Sequence, residues 1–252
     1  MLNMIRHGAP TDQPGLLIVH GLYGSARNWG VIAKRLSDTR EVIAVDQRNH
    51  GLSPWNETQS YPDMAEDLAE VLGNLTGPFD VLGHSMGGKA AMVLALLQPE
   101  MVNRLIVADI APVGYTHSQI QFIKAMRAVD LGSVERRSDA EAQLASHVED
   151  PILRSFFTQS LDVKEKKWRL NLDVLADEMP KILGFPAVSG EFDKPTLFLS
   201  GSESDYVKRE YRPDIKALFP QAGFLKIPGA GHWLHAEKPR EFEAAVRAWL
   251  DR

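Results

Sequence analysis

The sequence predicts an α/β protein with a mostly parallel, twisted sheet flanked by helices, and two observations carry this prediction. First, short apolar runs of the strand type alternate along the chain with helical segments, which is the pattern of a parallel sheet covered by helices on both faces. Second, residues 112–193 break the alternation with short helical patterns and no strong strand run. We therefore expect one sheet-based core with one helical insertion.

The predicted strands are short and consist largely of Leu, Ile, Val, Ala and Phe, as strands buried on both faces usually do. Helical segments separate them, so most neighbouring strands should run parallel. No internal repeat and no low-complexity linker interrupts the pattern. The predicted strands cover residues 16–20, 41–45, 79–82, 104–108, 196–199 and 223–227.

A nucleophile motif follows the third predicted strand. Ser85 stands between Gly83 and Gly87 in the pattern Gly-x-Ser-x-Gly, and residues 89–98 form an almost wholly apolar helical pattern after it. A serine at a sharp strand-to-helix turn is strained, and glycines two positions away let neighbouring chains pass close to it. A simple Gly/Ser turn is the alternative, but the strand and helix on either side favour Ser85 as a nucleophile.

A serine nucleophile needs a base, and His232 is the candidate. It lies in the glycine loop 228–233, between the last predicted strand and the C-terminal helix. Such a loop lets the imidazole reach a neighbouring strand, and serine before histidine is the chain order of this architecture. His235 could pair with His232 on a metal ion, but no third ligand stands at a suitable spacing. We therefore predict no metal site.

The acid that orients the base has two candidates at the ends of predicted strands. Asp109 ends the run 104–108, and Asp205 lies shortly after the run 196–199. Either carboxylate could meet a histidine that arrives from the last strand, and either could instead be a helix cap or a turn residue. Asp173 is a more distant third. The residues alone leave Asp109 and Asp205 open.

The loop after the first predicted strand is the candidate oxyanion hole. Residues 20–25 include two glycines and a serine and lead into a helix near Asn28. The backbone N–H of Leu22 in this loop and that of Met86 in the nucleophile turn can together hold a developing alkoxide.

The insertion contains four short helical patterns, at residues 120–129, 140–147, 152–159 and 170–179. It leaves the sheet at the carboxyl ends of the strands, above the nucleophile turn, and should form a cap. The predicted division is a core of residues 1–112 and 194–252 and a helical cap of residues 113–193. Apolar cap residues could line an acyl pocket, although helical spacing is more typical of ordinary core; the candidates are Met126, Phe156, Phe157, Trp168, Leu172 and Leu175.

Composition excludes several classes of function. The chain has 252 residues, is 44% hydrophobic, and has a net charge of −5, so it can bury a substantial core but offers no basic surface for nucleic acid. It has no cysteine, which excludes disulfides, thiolate metal sites and a cysteine nucleophile. The first residues lack the apolar region of a signal peptide, and no apolar run could span a bilayer. We expect a cytoplasmic protein with no membrane span.

The motifs together resemble the alpha/beta-hydrolase superfamily, and within it the small capped esterases and thioesterases of bacterial and mitochondrial type. They occur in the family's order and span nearly the whole chain. The motifs are residues 20–24 (HGLYG), 46–54 (DQRNHGLSP), 83–89 (GHSMGGK), 109–112 (DIAP) and 229–233 (GAGHW).

This resemblance implies an alpha/beta-hydrolase fold and ranks the acids. In the resembled subgroup the acid follows the strand after the nucleophile turn, which favours Asp109, whereas the wider superfamily favours Asp205. The loop 46–53 should be structural, with Arg48 and His50 joining loops behind the site. Since few residues precede the first buried run, the antiparallel hairpin that opens many family members should be reduced.

The predicted function is hydrolysis of carboxylic esters or acyl thioesters through an acyl-enzyme on Ser85, with no cofactor. The expected partner is a small-molecule substrate, and the protein could be a monomer or a homodimer. Four residues beside the catalytic loops or in the cap are predicted to contact substrate: Tyr23, Trp233, Leu234 and Phe157. Carbon–carbon bond hydrolases, lactonases and perhydrolases use the same triad, and a low-turnover ligand receptor is the non-enzymatic alternative.

Overall fold

A seven-stranded sheet forms the centre of the structure, a computed structural model that describes residues 1–252. Its strand order is β1-β3-β2-β4-β5-β8-β9, and every neighbouring pair is parallel except β1 with β3. A separate ribbon pairs β6 with β7. The strands are β1 (Met4–His7), β2 (Gly15–Val19), β3 (Val42–Val45), β4 (Phe79–His84), β5 (Leu105–Ala108), β6 (Leu161–Asp162), β7 (Lys167–Trp168), β8 (Thr196–Gly201) and β9 (Ala222–Ile227).

The structure has eleven α-helices, and five of them lie in the insertion between β5 and β8. No helix is both long enough and apolar enough to cross a membrane. The helices are α1 (Gly30–Leu36), α2 (Tyr61–Gly73), α3 (Met86–Leu97), α4 (Ile120–Arg127), α5 (Arg137–Leu144), α6 (Pro151–Thr158), α7 (Leu172–Asp177), α8 (Met179–Leu183), α9 (Arg212–Leu218), α10 (Leu234–Glu237) and α11 (Pro239–Leu250).

Successive side chains of a strand pack alternately into two separate parts of the core. In β2, Leu17 and Val19 pack into the larger cluster, together with α2 and α3. Leu16 and Ile18 pack into the smaller cluster, together with α1 and α11. Because successive side chains of a strand point to opposite faces, a run of buried residues requires cover on both sides. The predicted α/β architecture is therefore confirmed, with helices on both faces of the sheet.

The sequence missed the short and exposed elements. All six predicted strands are present, but β1 was not predicted because it is an edge strand whose residues are only partly buried. It pairs antiparallel with β3, so the expected opening hairpin is reduced to one strand. The strands β6 and β7 have two residues each, too few for a pattern. The predicted helix 170–179 corresponds to α7, and α8, which begins at Met179, was not predicted. Pro180 lies in the first turn of α8, where proline is favoured.

The turn from β4 into α3 depends on a close approach of backbones. A Cβ atom on Gly83 would lie 2.3 Å from the carbonyl oxygen of Gly87. A Cβ atom on Gly87 would lie 2.4 Å from the carbonyl oxygens of both Val19 and His20 at the end of β2. Both distances are shorter than a Cβ atom can approach a carbonyl oxygen, so only glycine fits at these two positions without a shift of the backbone.

We expect Gly87→Ala to lower the free energy of unfolding by about 1–3 kcal/mol, the usual cost of overpacking a tight site. The measurement is urea denaturation. Gly30→Ala is the matched control, because Gly30 is helical, with a φ of −53°, and a Cβ there would meet nothing within 4 Å. Equal unfolding midpoints for the two variants would contradict the close approach described above.

Candidate active site

Ser85 occupies the point at which β4 ends and α3 begins. Its backbone has φ 51° and ψ −121°, a region that residues other than glycine rarely adopt. Such strain persists only where the surrounding structure enforces it, and it is concentrated at functional sites. The Ser85 N–H donates to the carbonyl of Ala108 at 3.0 Å, which ties the turn to the end of β5. The hydroxyl is thereby held above the carboxyl ends of the central strands.

A continuous line of hydrogen bonds runs from Ser85 through His232 to Asp109. The distance from Ser85 Oγ to His232 Nε2 is 3.0 Å, and His232 Nδ1 lies 2.8 Å from Asp109 Oδ2. Because a carboxylate can only accept, the proton of the imidazole belongs on Nδ1, which leaves Nε2 free to accept from the serine hydroxyl. The loop between β9 and α10 supplies the histidine, and the end of β5 supplies the aspartate.

The carboxylate of Asp109 is fully buried and receives three hydrogen bonds. Besides His232, the backbone N–H of Gly201 donates to Oδ1 at 3.0 Å and the Ser204 hydroxyl donates to Oδ2 at 2.5 Å. A buried carboxylate needs such donors to remain charged. The sequence did not single out Ser204, although it is a hydroxyl residue beside the alternative acid Asp205.

The other two acid candidates lie apart from His232. Asp205 is exposed and forms no hydrogen bond or ion pair with the imidazole. Its neighbour Tyr206 is the residue that meets the histidine, since the two rings stack with centroids 4.0 Å apart and planes 21° from parallel. Asp173 is 86% exposed and pairs with Arg127 on the surface of the insertion.

Two further histidines pack behind His232 in uncharged form. His84 Nε2 donates to the backbone carbonyl of His232 at 2.9 Å, which fixes the loop that carries the base. His235 stacks on Trp29, with ring centroids 4.2 Å apart. Burial lowers the pKa of His84 well below its usual value and lowers the pKa of His235 to about 3. No three His, Asp or Glu side chains lie close enough together to hold a metal ion.

The two predicted oxyanion donors stand on either side of the nucleophile turn. Met86 is the first residue of α3, so its N–H has no partner within the helix. The N–H of Leu22 donates to no protein group. Gly21 lies against the turn, since a Cβ there would be 3.2 Å from Ser85 Cβ. The arrangement can offer two N–H groups to an oxygen bound near Ser85.

The loop that carries Leu22 is fixed from two directions through Tyr23, which has a φ of 63°. The Tyr23 N–H donates to His50 Nε2 at 3.2 Å. Two contacts come from the insertion: the Ser160 hydroxyl donates to the Tyr23 carbonyl at 3.0 Å, and the Tyr23 hydroxyl donates to the Gln119 carbonyl at 2.9 Å. Burial lowers the pKa of His50 to about 3, so His50 is a neutral acceptor.

Arg48 and the rest of the loop 46–53 link neighbouring segments of the chain at a distance from the nucleophile. Arg48 Nε donates to Asp67 at 2.6 Å, and the ion pair is half-buried. The insertion is joined to the same loop, because the Gly51 N–H donates to the Arg169 carbonyl at 2.8 Å.

A largely apolar cavity of about 250 Å³ opens beside Ser85. Three of the four residues that were predicted to contact substrate line this cavity, namely Tyr23, Phe157 and Trp233. Leu234 does not, because it is the first residue of α10 and its side chain is fully buried in the smaller core cluster. The prediction for Leu234 is therefore corrected: it is a core residue. Of the other apolar candidates, Phe156 lines the cavity and the rest are core residues, namely Met126, Trp168, Leu172 and Leu175.

Comparison with known proteins shows which family the chain resembles. The sequence profile of the alpha/beta hydrolase family matches residues 16–245. The chain is 43% identical over 248 residues to the sn-1-specific diacylglycerol lipase ABHD11 of Mus musculus, with 94% of this chain and 81% of the relative covered. It is 40% identical over 240 residues to the esterase YbfF of Escherichia coli, with 94% and 92% covered.

Solved structures agree with these relatives. The structure of a marine microorganism esterase superimposes with a TM-score of 0.92 at 38% identity and covers 98% of both chains. An E-2-(acetamidomethylene)succinate hydrolase superimposes with a TM-score of 0.77 at 24% identity, with 100% and 95% of the chains covered, which supports the fold alone. The chain belongs to the alpha/beta hydrolase family, in the group that contains its esterases and lipases.

Proposed function

We propose that the protein is a serine hydrolase that cleaves carboxylic esters or acyl thioesters through an acyl-enzyme on Ser85. The observation that carries the proposal is the unbroken hydrogen-bonded line of Ser85, His232 and Asp109 at the edge of an apolar cavity. This order of nucleophile, base and orienting acid is the general form of activated nucleophilic catalysis. The esterases and lipase that resemble the chain support the same reaction class.

In the proposed first step, Ser85 Oγ attacks the substrate carbonyl while His232 Nε2 takes its proton. The N–H groups of Leu22 and Met86 stabilise the oxyanion of the tetrahedral intermediate. The buried carboxylate of Asp109 holds the histidine in the required tautomer and stabilises the imidazolium. The histidine then gives the proton to the departing alcohol or thiol, which leaves the acyl group on Ser85.

In the proposed second step, water replaces the leaving group and the same residues act in the reverse order. His232 takes a proton from the water, which attacks the acyl carbonyl, and returns the proton to Ser85 as the acid departs. The neighbouring histidines assist by staying neutral. If His84 and His235 were charged at neutral pH, they would repel the imidazolium that both steps require.

We further propose that residues 113–193 act as a cap over the site, with residues 1–112 and 194–252 as the core. Phe122 of α4 and Phe156 and Phe157 of α6 line the cavity beside Ser85. Hydrogen bonds from Gln119 and Ser160 to Tyr23 link this segment to the loop that would hold the oxyanion. A cap in this position would shield the acyl group from solvent and limit its length.

The direct test is a pre-steady-state time course, followed into the steady state, of the hydrolysis of p-nitrophenyl esters of increasing acyl length. We expect many turnovers per enzyme and one preferred acyl length. A single stoichiometric burst without turnover would support the ligand-receptor alternative and contradict the proposed function.

We expect Ser85→Ala to abolish covalent labelling by a fluorophosphonate probe, because the labelled atom is the hydroxyl oxygen. In-gel fluorescence measures the labelling. Ser37→Ala is the control, since the Ser37 hydroxyl donates to the Lys34 carbonyl at the end of α1 rather than to a residue of the site, and it should keep the label. Labelling that persists in Ser85→Ala would show that another residue is the nucleophile.

We expect Asp109→Asn to lower kcat on the order of ten-thousand-fold, because an amide in place of the carboxylate favours the wrong histidine tautomer. Asp205→Asn, directly after Ser204, whose hydroxyl contacts Asp109, is the matched control and should change kcat little. Turnover of a p-nitrophenyl ester compares the two. Similar mild losses, or a larger loss in Asp205→Asn, would overturn the assignment of the acid.

A further inference from the structure

Lys89 is a buried cation with no acidic partner. It lies in α3, four residues after Ser85, and is 1% exposed. No carboxylate forms an ion pair with it. Burying a charge without a partner is costly, and this burial lowers the pKa of Lys89 to about 7. The buried amine of Lys89 therefore lowers the stability of the fold unless other groups compensate for its burial.

The ammonium group is held by backbone carbonyls instead. Nζ donates to Val113 at 2.8 Å, to Leu183 at 3.0 Å and to Gly184 at 2.5 Å. An ammonium has three donors and no acceptor, so this set of acceptors satisfies it completely. None of its N–H groups is left for a substrate carboxylate.

The three carbonyls come from the two ends of the helical part of the insertion, residues 113–184. Val113 lies a few residues after β5, where the insertion starts, whereas Leu183 ends α8 and Gly184 follows it. The ends are also bonded to each other, because the Tyr115 N–H donates to the Leu183 carbonyl at 3.0 Å. Lys89 therefore fastens both ends of the inserted segment to the helix that starts at Ser85.

Two tyrosines complete this attachment. Lys89 Nζ lies 4.8 Å from the ring centroid of Tyr115 and 5.6 Å from that of Tyr61, distances at which an aromatic face attracts a cation. The Tyr61 hydroxyl donates to the Ile182 carbonyl at 2.5 Å. Three successive peptide groups at the end of the insertion, those of residues 182–184, are thus held by side chains of α2 and α3.

The same residues form part of the cavity wall. Tyr61, Lys89, Ile182 and Leu183 all line the cavity beside Ser85. A helix rises 1.5 Å per residue, so Lys89 stands about 6 Å along α3 from the nucleophile. This wall should therefore meet the distal carbons of a long acyl chain and stay clear of an acetyl group.

We propose that Lys89 determines acyl-chain-length specificity by fixing the position of the two ends of the inserted segment, and that it does so without contacting the reacting atoms. The proposal rests on the proposed esterase function. It makes Lys89 a positioning residue, because it acts on the substrate through the wall that residues 182–184 provide.

The test is Lys89→Met, which keeps the length of the side chain and removes its charge and its donors. We expect kcat/KM for p-nitrophenyl octanoate to fall about tenfold or more, the effect of losing hydrogen bonds from a charged group. The kcat/KM for p-nitrophenyl acetate should fall much less. Most of the fall for the octanoate ester should come from a higher KM rather than from a lower kcat. The ratio of the two values within one preparation cancels any loss of folded enzyme.

Lys194→Met is the matched control. Lys194 Nζ also donates to backbone carbonyls, those of Pro99 and Val102 at 2.7 and 2.8 Å, but it does not line the cavity. Its octanoate-to-acetate ratio of kcat/KM should equal that of the wild type.

A second variant, Tyr61→Phe, removes only the bond to Ile182 and should also lower the ratio, but by less than Lys89→Met does. It keeps the proposal testable if Lys89→Met does not fold.

Two kinetic results would overturn the proposal. An equal fall of kcat/KM for the acetate and octanoate esters in Lys89→Met would show general damage. A fall of kcat/KM confined to a hemisuccinate ester would show that Lys89 binds an anionic substrate.

Hydrogen exchange gives a readout independent of activity: the Tyr115 amide should exchange faster in Lys89→Met than in Lys194→Met, and equal rates would contradict the attachment. If the wild type cleaves no ester, the proposed function fails, while the exchange result still decides whether Lys89 holds the segment.

Discussion

The contact between the β4–α3 turn and the end of β2 is the constraint on which the rest of the structure depends. Because Gly83 and Gly87 have no side chains, the backbones approach closely enough to hold Ser85 in a conformation that it would not otherwise adopt. The same turn fixes where α3 begins, and with it the free N–H groups at the helix start. Lys89 is one turn further along α3, so the position of the inserted segment also depends on this contact.

The electrostatics of the site follow from burial. Asp109 is a buried carboxylate supplied with donors by β8 and the loop after it, through Gly201 and Ser204. Two histidines behind the base, His84 and His235, are buried without acidic partners, and burial lowers the pKa of each. In the proposed mechanism the imidazolium that forms on His232 therefore faces the Asp109 carboxylate and no charged histidine behind it.

The sequence allowed the fold and the residues that meet at Ser85 to be predicted, because strand patterns and a glycine-flanked serine are local signals. The residues alone could not separate Asp109 from Asp205, since both follow neighbouring strands and only the packing decides which side chain turns towards the histidine; the family resemblance was what favoured Asp109. Ser204 and the carbonyl partners of Lys89 were beyond prediction for the same reason. Leu234 was placed wrongly because the start of α10 directs its side chain into the core, and adjacency to His232 in sequence says nothing of that direction.

The most direct test of the central claim is partitioning with hydroxylamine as a competing acceptor. An oxygen ester and a thioester with the same acyl group would each be hydrolysed in its presence, and the ratio of free acid to hydroxamic acid formed by the enzyme, above the reaction without enzyme, would be measured. If both substrates pass through one acyl-enzyme on Ser85, the ratio must be the same, because the leaving group has departed before the acceptor attacks. A ratio that depends on the leaving group would contradict a shared acyl-enzyme and with it the proposed mechanism.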